Sequence, residues 1–200
     1  MLPFPHANHG AGGFLIGGAA VHVGSGKRDT GAGAGAIPLP PEASPFDILF
    51  VAGATVSGGA GEPFQSVSPG HARPIQHADI IGSLVLSTAP SVWALYRGPF
   101  ALAFRQTATA SGAGPLLPGI TKASNCGGLI LVGLGNASTT APPSVGAPFT
   151  TRHTTSSGAF GPFWMIADLL DPDAYVNGTP IPMGGSSNGS TTGFLIEMLY

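Results

Sequence analysis

One pentapeptide late in the chain carries the spacing of a catalytic serine. Gly185-Ser186-Ser187-Asn188-Gly189 matches the G-x-S-x-G pattern. In the hydrolases that use this pattern, the serine lies on a sharp turn between a strand and a helix, and an acid and then a histidine follow it in the chain. Here a polar turn precedes an apolar terminal strand, and no histidine follows Ser187. The residue order therefore argues against acyl-transfer chemistry, and no catalytic residue is predicted.

Two glycine-containing segments match nucleotide-binding loops in part. Residues 31–36, Gly-Ala-Gly-Ala-Gly-Ala, satisfy G-x-G-x-x-A. A dinucleotide site also needs a strand before this loop and a helix after it. Residues 37–41, Ile-Pro-Leu-Pro-Pro, cannot form that helix. Gly26-Lys27 lacks the first glycine and the Ser or Thr of a P-loop. We interpret both matches as products of composition and predict no cofactor-binding residue.

Acidic residues cluster at Asp168, Asp171 and Asp173. Carboxylates at this spacing could hold calcium. The favoured interpretation is a capped turn, in which aspartate side chains accept hydrogen bonds from nearby backbone amides. The sequence leaves the ion as an open alternative, and no metal ligand is assigned. A glycoside hydrolase would need two carboxylates facing each other across a groove, and the nine acidic residues indicate no such pair.

Four histidines fall into two pairs that have no metal-binding scaffold. His6 and His9 lie in a Pro/Gly-rich stretch, and His71 and His77 flank Arg73-Pro74. Zinc sites need ligands that secondary structure holds in a tetrahedral arrangement. We therefore interpret these side chains as ordinary loop histidines.

Aromatic side chains concentrate in two regions of the chain. A carbohydrate-binding platform would expose such rings beside amides and carboxylates, and few of those polar groups are neighbours here. Core packing is therefore the favoured interpretation. The residues concerned are Trp93, Tyr96, Phe100, Phe104, Phe160, Phe163 and Trp164.

The composition predicts an assembly subunit more strongly than an enzyme. Charged residues form 8% of the 200 residues, while Gly (32) and Pro (20) are abundant. Most soluble domains carry roughly 25% charged residues. A compact monomer with so few charges has little to keep it soluble and unassociated. We therefore expect the chain to bind other subunits.

Several classes of protein are disfavoured by the same composition. A net charge of −2 with seven basic residues offers no patch for a phosphate backbone, so nucleic-acid binding is not expected. No apolar run approaches the roughly 18 residues of a membrane-spanning helix. A single cysteine, Cys126, excludes an internal disulfide. The segment 1–5 lacks the features of a signal peptide, so we expect synthesis and retention in the cytoplasm until assembly.

Strand signals dominate the chain. Gly or Pro interrupts almost every helical window, and short runs rich in Val, Ile, Leu and aromatic residues are bounded by turn residues. The one helical candidate is Phe163 to Leu170, ended by Pro172. Predicted strands are Phe14 to Val23, Phe46 to Val56, Ile80 to Leu86, Val92 to Tyr96, Phe100 to Gln106, Leu129 to Leu134, Phe160 to Ala167 and Phe194 to Leu199.

These elements predict an all-β fold, an antiparallel β-sandwich or jelly-roll-like domain with long Gly/Pro-rich loops. Residues 129–132, Leu-Ile-Leu-Val, are apolar on both faces and predict a central strand. The alternation in residues 100–104 predicts that Phe104 faces the core. Leu131 is expected in the core as well. The strand that runs to Tyr200 is expected to be paired.

Residues 1–45 differ in composition from the rest. Glycine tracts are followed by the extended, polyproline-like residues 37–41. Two domains are predicted: a Gly/Pro-rich N-terminal arm at 1–45 and the sandwich at 46–200. The arm is either a linker or a segment that docks on a neighbouring subunit.

A series of strand and turn segments follows from about Phe46 onward. They are 47–52 (DILFVA), 93–98 (WALYRG) with 104–105 (FR), 118–121 (PGIT), 128–133 (GLILVG), 148–152 (PFTTR) and 193–199 (GFLIEML). The order of these segments resembles the β-sandwich structural proteins of tailed bacteriophages. The resemblance covers about three quarters of the chain and implies a virion component without catalytic residues.

Composition and resemblance together predict a non-enzymatic virion subunit. The expected role is a capsid decoration (cement) protein or a tail-associated protein that binds other virion subunits and forms a homo-oligomer such as a trimer. The alternative is a host-receptor-binding tail fibre or adhesin tip, which exposed aromatic or charged loops at one end of a trimer would favour.

Overall fold

The computed structural model describes residues 19–29, 32–58, 63–82, 84–87, 90–99, 101–155 and 162–200. Nearly all the regular structure in these residues is strand, since Gly and Pro are poor helix formers and the apolar runs are short and β-branched. The strands in chain order are β1 (Val21–Arg28), β2 (Gly35–Ala36), β3 (Ile48–Ala52), β4 (Val56–Ser57), β5 (Gln65–Val67), β6 (Gly70–Pro74), β7 (Val85–Leu86), β8 (Ser91–Arg97), β9 (Ala101–Ser111), β10 (Leu116–Leu117), β11 (Cys126–Gly135), β12 (Ser144–Val145), β13 (Thr150–Thr154), β14 (Phe163–Leu169), β15 (Ile181–Gly184) and β16 (Ser190–Leu199).

Two short helical segments accompany these strands. A five-residue α-helix, α1 (His77–Ile81), joins β6 to β7, and a 3-10 turn, η1 (Pro172–Ala174), joins β14 to β15. All strand pairs in the described residues are antiparallel. The prediction of an all-β antiparallel sandwich is therefore confirmed.

The strands form two large sheets and two small ones. The large sheets have the orders β1-β8-β3-β6-β5 and β13-β14-β11-β16-β9, and the small sheets have the orders β2-β7-β4 and β10-β15-β12. Each large sheet comes from one half of the chain. This separates the fold from a jelly roll, in which the chain alternates between the two sheets.

The two halves repeat one topology. The first half contains β1 to β8 and the second half β9 to β16, and the strands can be numbered one to eight within each half. In both halves the large sheet then has the strand order 1-8-3-6-5, and the small sheet has the order 2-7-4. A helical segment stands between the sixth and seventh strands in both halves. The chain is therefore a duplicated structural unit whose two copies pack face to face.

Three apolar clusters stack the sheets into four layers. The central cluster lies between the two large sheets and includes Phe50, Tyr96, Ile130 and Ile196. A second cluster packs the outer face of the first large sheet on β2, β7 and β4, and a third packs the outer face of the second on β10, β15 and β12. The large sheets are therefore covered on both faces, which explains their continuous apolar runs.

The central strands were predicted well. Residues 129–132 lie in β11, which pairs with β14 on one side and β16 on the other. Leu131 has no exposed surface, so its predicted place in the core is confirmed. The last strand, β16, is paired on both sides, with β11 and β9, as expected.

Two local predictions were wrong. The helical candidate Phe163–Leu170 is strand β14, because pairing with β11 and β13 outweighs the local helical preference; the overlapping strand prediction Phe160–Ala167 is confirmed over residues 163–167. The predicted strand Ile80–Leu86 begins inside α1, and among its described residues the strand β7 covers Val85–Leu86 alone. The helix is favoured locally because the Asp79 carboxylate accepts a hydrogen bond from the Gln76 amide at its N-terminus.

The predicted arm is part of the sandwich over residues 21–28. Residues 1–18 lie outside the described residues, and so does the start of the predicted strand Phe14–Val23. Strand β1 pairs with β8 along its length, at the edge of the first large sheet. Pro40 packs on this strand, since a Cβ at Gly24 would lie 2.7 Å from the Pro40 Cγ. The boundary near Ser44 therefore falls in the loop between β2 and β3.

Candidate assembly surface

Four arginine side chains are tied to carboxylates that have almost no exposed surface. The carboxylate side chains are 0–3% exposed. Three of the pairs are bidentate, so that each carboxylate oxygen accepts a separate hydrogen bond from the guanidinium group. The pairs are Arg73–Asp79, Arg97–Asp47, Arg105–Glu197 and Arg152–Asp168.

Backbone amides complete three of these carboxylates. The Asp47, Asp79 and Glu197 carboxylates also accept hydrogen bonds, from the backbone amides of Ser44, Gln76 and Ala123 respectively. Such carboxylates join loops to strands and have little hydrogen-bonding capacity left for a substrate. Because the chain contains only seven basic and nine acidic residues, these four pairs neutralise a large part of its charge.

The described exterior has few unpaired charges, since the partly exposed guanidinium groups of Arg97, Arg105 and Arg152 each have a carboxylate partner. The Lys27–Asp29 pair is a surface pair whose side chains are 36% and 41% exposed. Glu42, Asp171 and Asp173 are the exposed acidic residues outside these pairs in the described part of the chain. A nearly neutral surface gives weak mutual repulsion between copies and neighbours, which favours association.

A polar cluster closes one corner of the sandwich, where β1 meets β13. The Arg152 guanidinium binds Asp168 at 2.9 Å through two nitrogens, and the Tyr96 hydroxyl donates to the same carboxylate at 3.2 Å. His153 hydrogen-bonds to the backbone of Ser25 in β1. This cluster ties the two large sheets together.

Burial shifts the pKa of the titratable groups at this corner. The pKa of Tyr96 is raised well above 10.0, first by burial and then by the Asp168 charge and hydrogen bond. The pKa of His22 is lowered from 6.5, first by burial and then by the Arg152 charge. The pKa of His153 is also lowered by burial. The corner therefore favours neutral imidazoles, and Asp168 is engaged by Arg152 rather than free to act as a base.

His22 and His153 were missed by sequence reasoning. They are far apart in the chain, on the edge strands of different sheets, and no local motif links them. A local signal existed for His22 alone: it lies between Val21 and Val23, and this alternation of apolar and polar residues is typical of a strand. The duplicated topology brings the two together.

The serine motif lacks the geometry of a nucleophile elbow. Ser187 is exposed in the turn between β15 and β16, so a strand rather than a helix follows it. Ser186 is buried, and its hydroxyl accepts a hydrogen bond from the Thr140 amide at 3.0 Å. The motif forms a structural turn.

The glycine-rich matches are extended as well. Gly26-Lys27 lies inside β1, and Gly35–Ala36 is β2, paired with β7. The next backbone amide, that of Ile37, donates to the Leu84 carbonyl at 2.7 Å. This segment therefore forms the short strand β2 followed by one further backbone hydrogen bond at Ile37, and no helix begins there; Gly31 lies outside the described residues.

The three aspartates do not form one site. Asp168 is 1% exposed in β14, whereas Asp171 is exposed and accepts a hydrogen bond from the Asp173 amide at 3.0 Å, capping η1. The capped-turn interpretation is confirmed for Asp171, whose side chain accepts from the Asp173 amide. No group of three or more His, Cys, Asp or Glu side chains with metal-binding geometry occurs among the described residues.

The histidine pair at 71 and 77 does not lie in loops. His71 is in β6 and His77 begins α1, because the chain between the predicted strands forms an additional strand and helix. His6 and His9 lie outside the described residues. The loop interpretation was therefore wrong for the described pair.

Most of the described aromatic rings are in the core, but Phe104 is not. Trp93, Tyr96 and Phe163 are at most 5% exposed, whereas Phe104 is 42% exposed. The prediction for Phe104 was wrong because β9 is an edge strand, and the facing edge strand, β5, has only three residues. Phe100 and Phe160 lie outside the described residues.

Comparison of the chain with protein-family models, curated proteins and solved structures gave no match. The helices in the described residues are too short and insufficiently apolar to cross a membrane. The surface geometry therefore carries the functional interpretation.

Proposed function

We propose that this chain is a non-enzymatic structural subunit of a bacteriophage virion. Its role would be that of a capsid decoration (cement) or tail-associated protein that binds neighbouring capsid or tail subunits and its own copies. The observation that carries the proposal is the distribution of charge. Four arginines are paired with buried carboxylates, so even the three that reach the surface are neutralised by a partner, and the described exterior has few unpaired charges.

The physical link from charge to assembly is direct. Association of two surfaces removes water from both, and each unpaired charge that is buried on the way costs several kcal/mol. A surface with few charges avoids that cost. The resemblance of residues 47–52, 128–133 and 193–199 to phage sandwich proteins supports a phage virion as the assembly.

The proposal of a non-enzymatic role is supported by the state of the polar side chains. Asp47, Asp79, Asp168 and Glu197 are each held by an arginine. Ser187 lies in a turn that is followed by a strand. General acid–base chemistry needs a carboxyl or imidazole that can exchange a proton with substrate, and these carboxylates are committed to structural contacts.

The experiment is to purify particles from the producing cells and to separate capsids from tails. Quantitative mass spectrometry of each fraction should find this chain at a fixed stoichiometry to one major structural protein. A fixed ratio in the capsid fraction supports decoration, and a fixed ratio in the tail fraction supports a tail protein. A chain found only in the soluble fraction would refute the proposal.

A binding assay separates a tail protein from the receptor-binding alternative. A receptor-binding tip binds host cells as a purified protein and competes with particle adsorption, whereas a cement or tail-associated protein binds particles. The wild-type protein should also be screened for esterase and glycosidase turnover beside Ser187→Ala and Asp168→Ala. Turnover that either change abolishes would overturn the non-enzymatic role.

A further inference from the structure

We infer that β9 is a homotypic assembly edge: two copies of this chain pair their β9 strands antiparallel and join their second large sheets into one continuous sheet. The biological meaning of this contact rests on the assembly role proposed above. Its physical basis is independent of a virion, because it concerns the free chain in solution.

Strand β9 is the longest strand among the described residues and lies at a sheet edge. It has 11 residues, Ala101–Ser111, and within the described residues it pairs only with β16. An edge strand presents its outward backbone N–H and C=O groups as a template for another strand. Its length allows a ladder of several backbone hydrogen bonds.

The C-terminal half of β9, residues 106–111, lacks the residue types that protect sheet edges from pairing with another chain. Residues 106–111 read Gln-Thr-Ala-Thr-Ala-Ser, without a charge, a proline or a glycine. Natural edge strands are commonly blunted by lysine, proline, bulges or short length. The bulge in the pairing of β9 with β16 is at Arg105, before this stretch, and the ladder is regular from Gln106 to Ser111.

The other edges of the large sheets are less suited to self-pairing. Strand β1 carries Lys27 and Arg28, and β13 carries Arg152, so two-fold pairing would bring like charges together. Strand β1 also meets β13 through the His153 contact to Ser25. Strand β5 has only three residues. In the duplicated topology, β9 is the counterpart of β1, yet residues 106–111 of β9 carry no charge.

Exposed apolar side chains accompany β9. Phe104 on β9 is 42% exposed, and Leu116 on β10, the short strand that contacts β9, is 61% exposed. Exposed apolar groups beside an open edge are typical of a protein partner. They would lose water contact when a second sheet continues past the edge.

The strand is complementary to itself. A two-fold axis beside Thr109 places Thr107 opposite Ser111, Thr109 opposite its own copy, and Ala108 opposite Ala110. Cross-strand pairs of Thr with Thr or Ser are favourable, and no like charges meet. Thr107, Thr109 and Ser111 are exposed in the single chain, so this row is open to a partner. These features fit a second copy of the chain as the occupant.

The test uses the purified full-length chain. Sedimentation and native mass measurements over a range of concentrations should show a species of twice the 19.9 kDa chain mass. Thr109→Lys places two like charges beside the axis and should abolish the dimer. Thr109→Val removes the hydroxyl that contacts Thr192 at 2.8 Å but keeps the strand uncharged, and should retain the dimer. Thr151→Lys adds the same charge to an exposed threonine of edge strand β13 and should also retain it.

The outcomes decide the inference. A wild-type chain that is monomeric at every concentration overturns it, as does a dimer that Thr109→Lys leaves intact or that Thr151→Lys disrupts equally. Circular dichroism checks that each variant folds. If Thr109→Lys fails to fold, hydrogen exchange in the wild type decides: protection of the amides at 106–111 that rises with protein concentration supports the contact, and protection independent of concentration overturns it. Dimer failure with the chain present in particles leaves the virion role standing, and the reverse result leaves the contact standing.

Discussion

Replacing Asp79 with leucine should destabilise the fold strongly, because it leaves the buried Arg73 charge without a partner. The Arg73 and Asp79 side chains are 3% and 0% exposed, and two hydrogen bonds of 2.6 and 2.8 Å join them. Asp79 also accepts from the Gln76 amide at 2.8 Å. The Arg73 guanidinium lies 4.7 Å from the centre of the Phe64 ring, which cannot replace a carboxylate.

The expected magnitude follows from what is left behind. Breaking a buried pair by removing one partner costs about 3–5 kcal/mol in the free energy of unfolding, because the remaining charge is desolvated without compensation. Replacing both partners, as in Arg73→Met with Asp79→Leu, removes that charge. The double variant should return to within about 2 kcal/mol of the wild type, since the Gln76 amide still loses its acceptor.

The assay is equilibrium unfolding in urea, followed by circular dichroism and tryptophan fluorescence. Lys27→Met is the matched control, because its pair with Asp29 is exposed at the surface. It should change the free energy of unfolding by less than about 1 kcal/mol. If Asp79→Leu costs no more than the control, or if the double variant is less stable than Asp79→Leu, the role assigned to the buried pair is wrong.

Three further outcomes are expected. Leu131→Ala should lower the free energy of unfolding by about 2–5 kcal/mol, because it removes buried surface and leaves a cavity. Phe104→Ala should lower it less, because the Phe104 side chain is already 42% exposed. Equal losses for the two variants would contradict the layer assignment. Acidification from about pH 7 to 5 should lower the thermal midpoint, because the native state holds His22 neutral and the unfolded chain binds that proton more readily. The loss should be smaller in His22→Gln; an identical pH profile would contradict it. Gly70→Ala should prevent normal pairing of β3 with β6, because a Cβ there would lie 1.9 Å from the Val51 carbonyl oxygen; a wild-type thermal midpoint would contradict the close approach.

The sequence was informative where one strand carried its own signal. Residues 129–132 are apolar on both faces, and that pattern alone indicated a strand covered on each side. The terminal strand was equally clear. Composition also indicated a scarcity of surface charge, although it did not reveal that Asp79 and Glu197 would be buried.

What the sequence did not reveal depends on distant contacts. Phe163 to Leu170 was predicted both as a helical candidate and, over Phe160 to Ala167, as a strand; pairing with two strands that are distant in the chain favours the strand. Phe104 alternates with alanine like a core residue, but its exposure follows from the short facing strand β5. The repeated topology is also hidden, because the two halves share strand order rather than a recognisable motif.

The polar corner shows the same limit. Each of His22, Tyr96, Arg152 and Asp168 lies in a different strand, so their meeting is a property of the packed sheets. The Arg152–Asp168 contact links positions 16 residues apart, while the Tyr96–Asp168 contact spans 72. A linear motif does not encode such a cluster.

The most direct test of the central claim is the protein composition of purified, fractionated particles. The account predicts that this chain is present at a fixed ratio to a major capsid or tail protein and that the ratio survives repeated purification. A chain that is absent from the particles, or that is lost in proportion to soluble contaminants, would contradict the account.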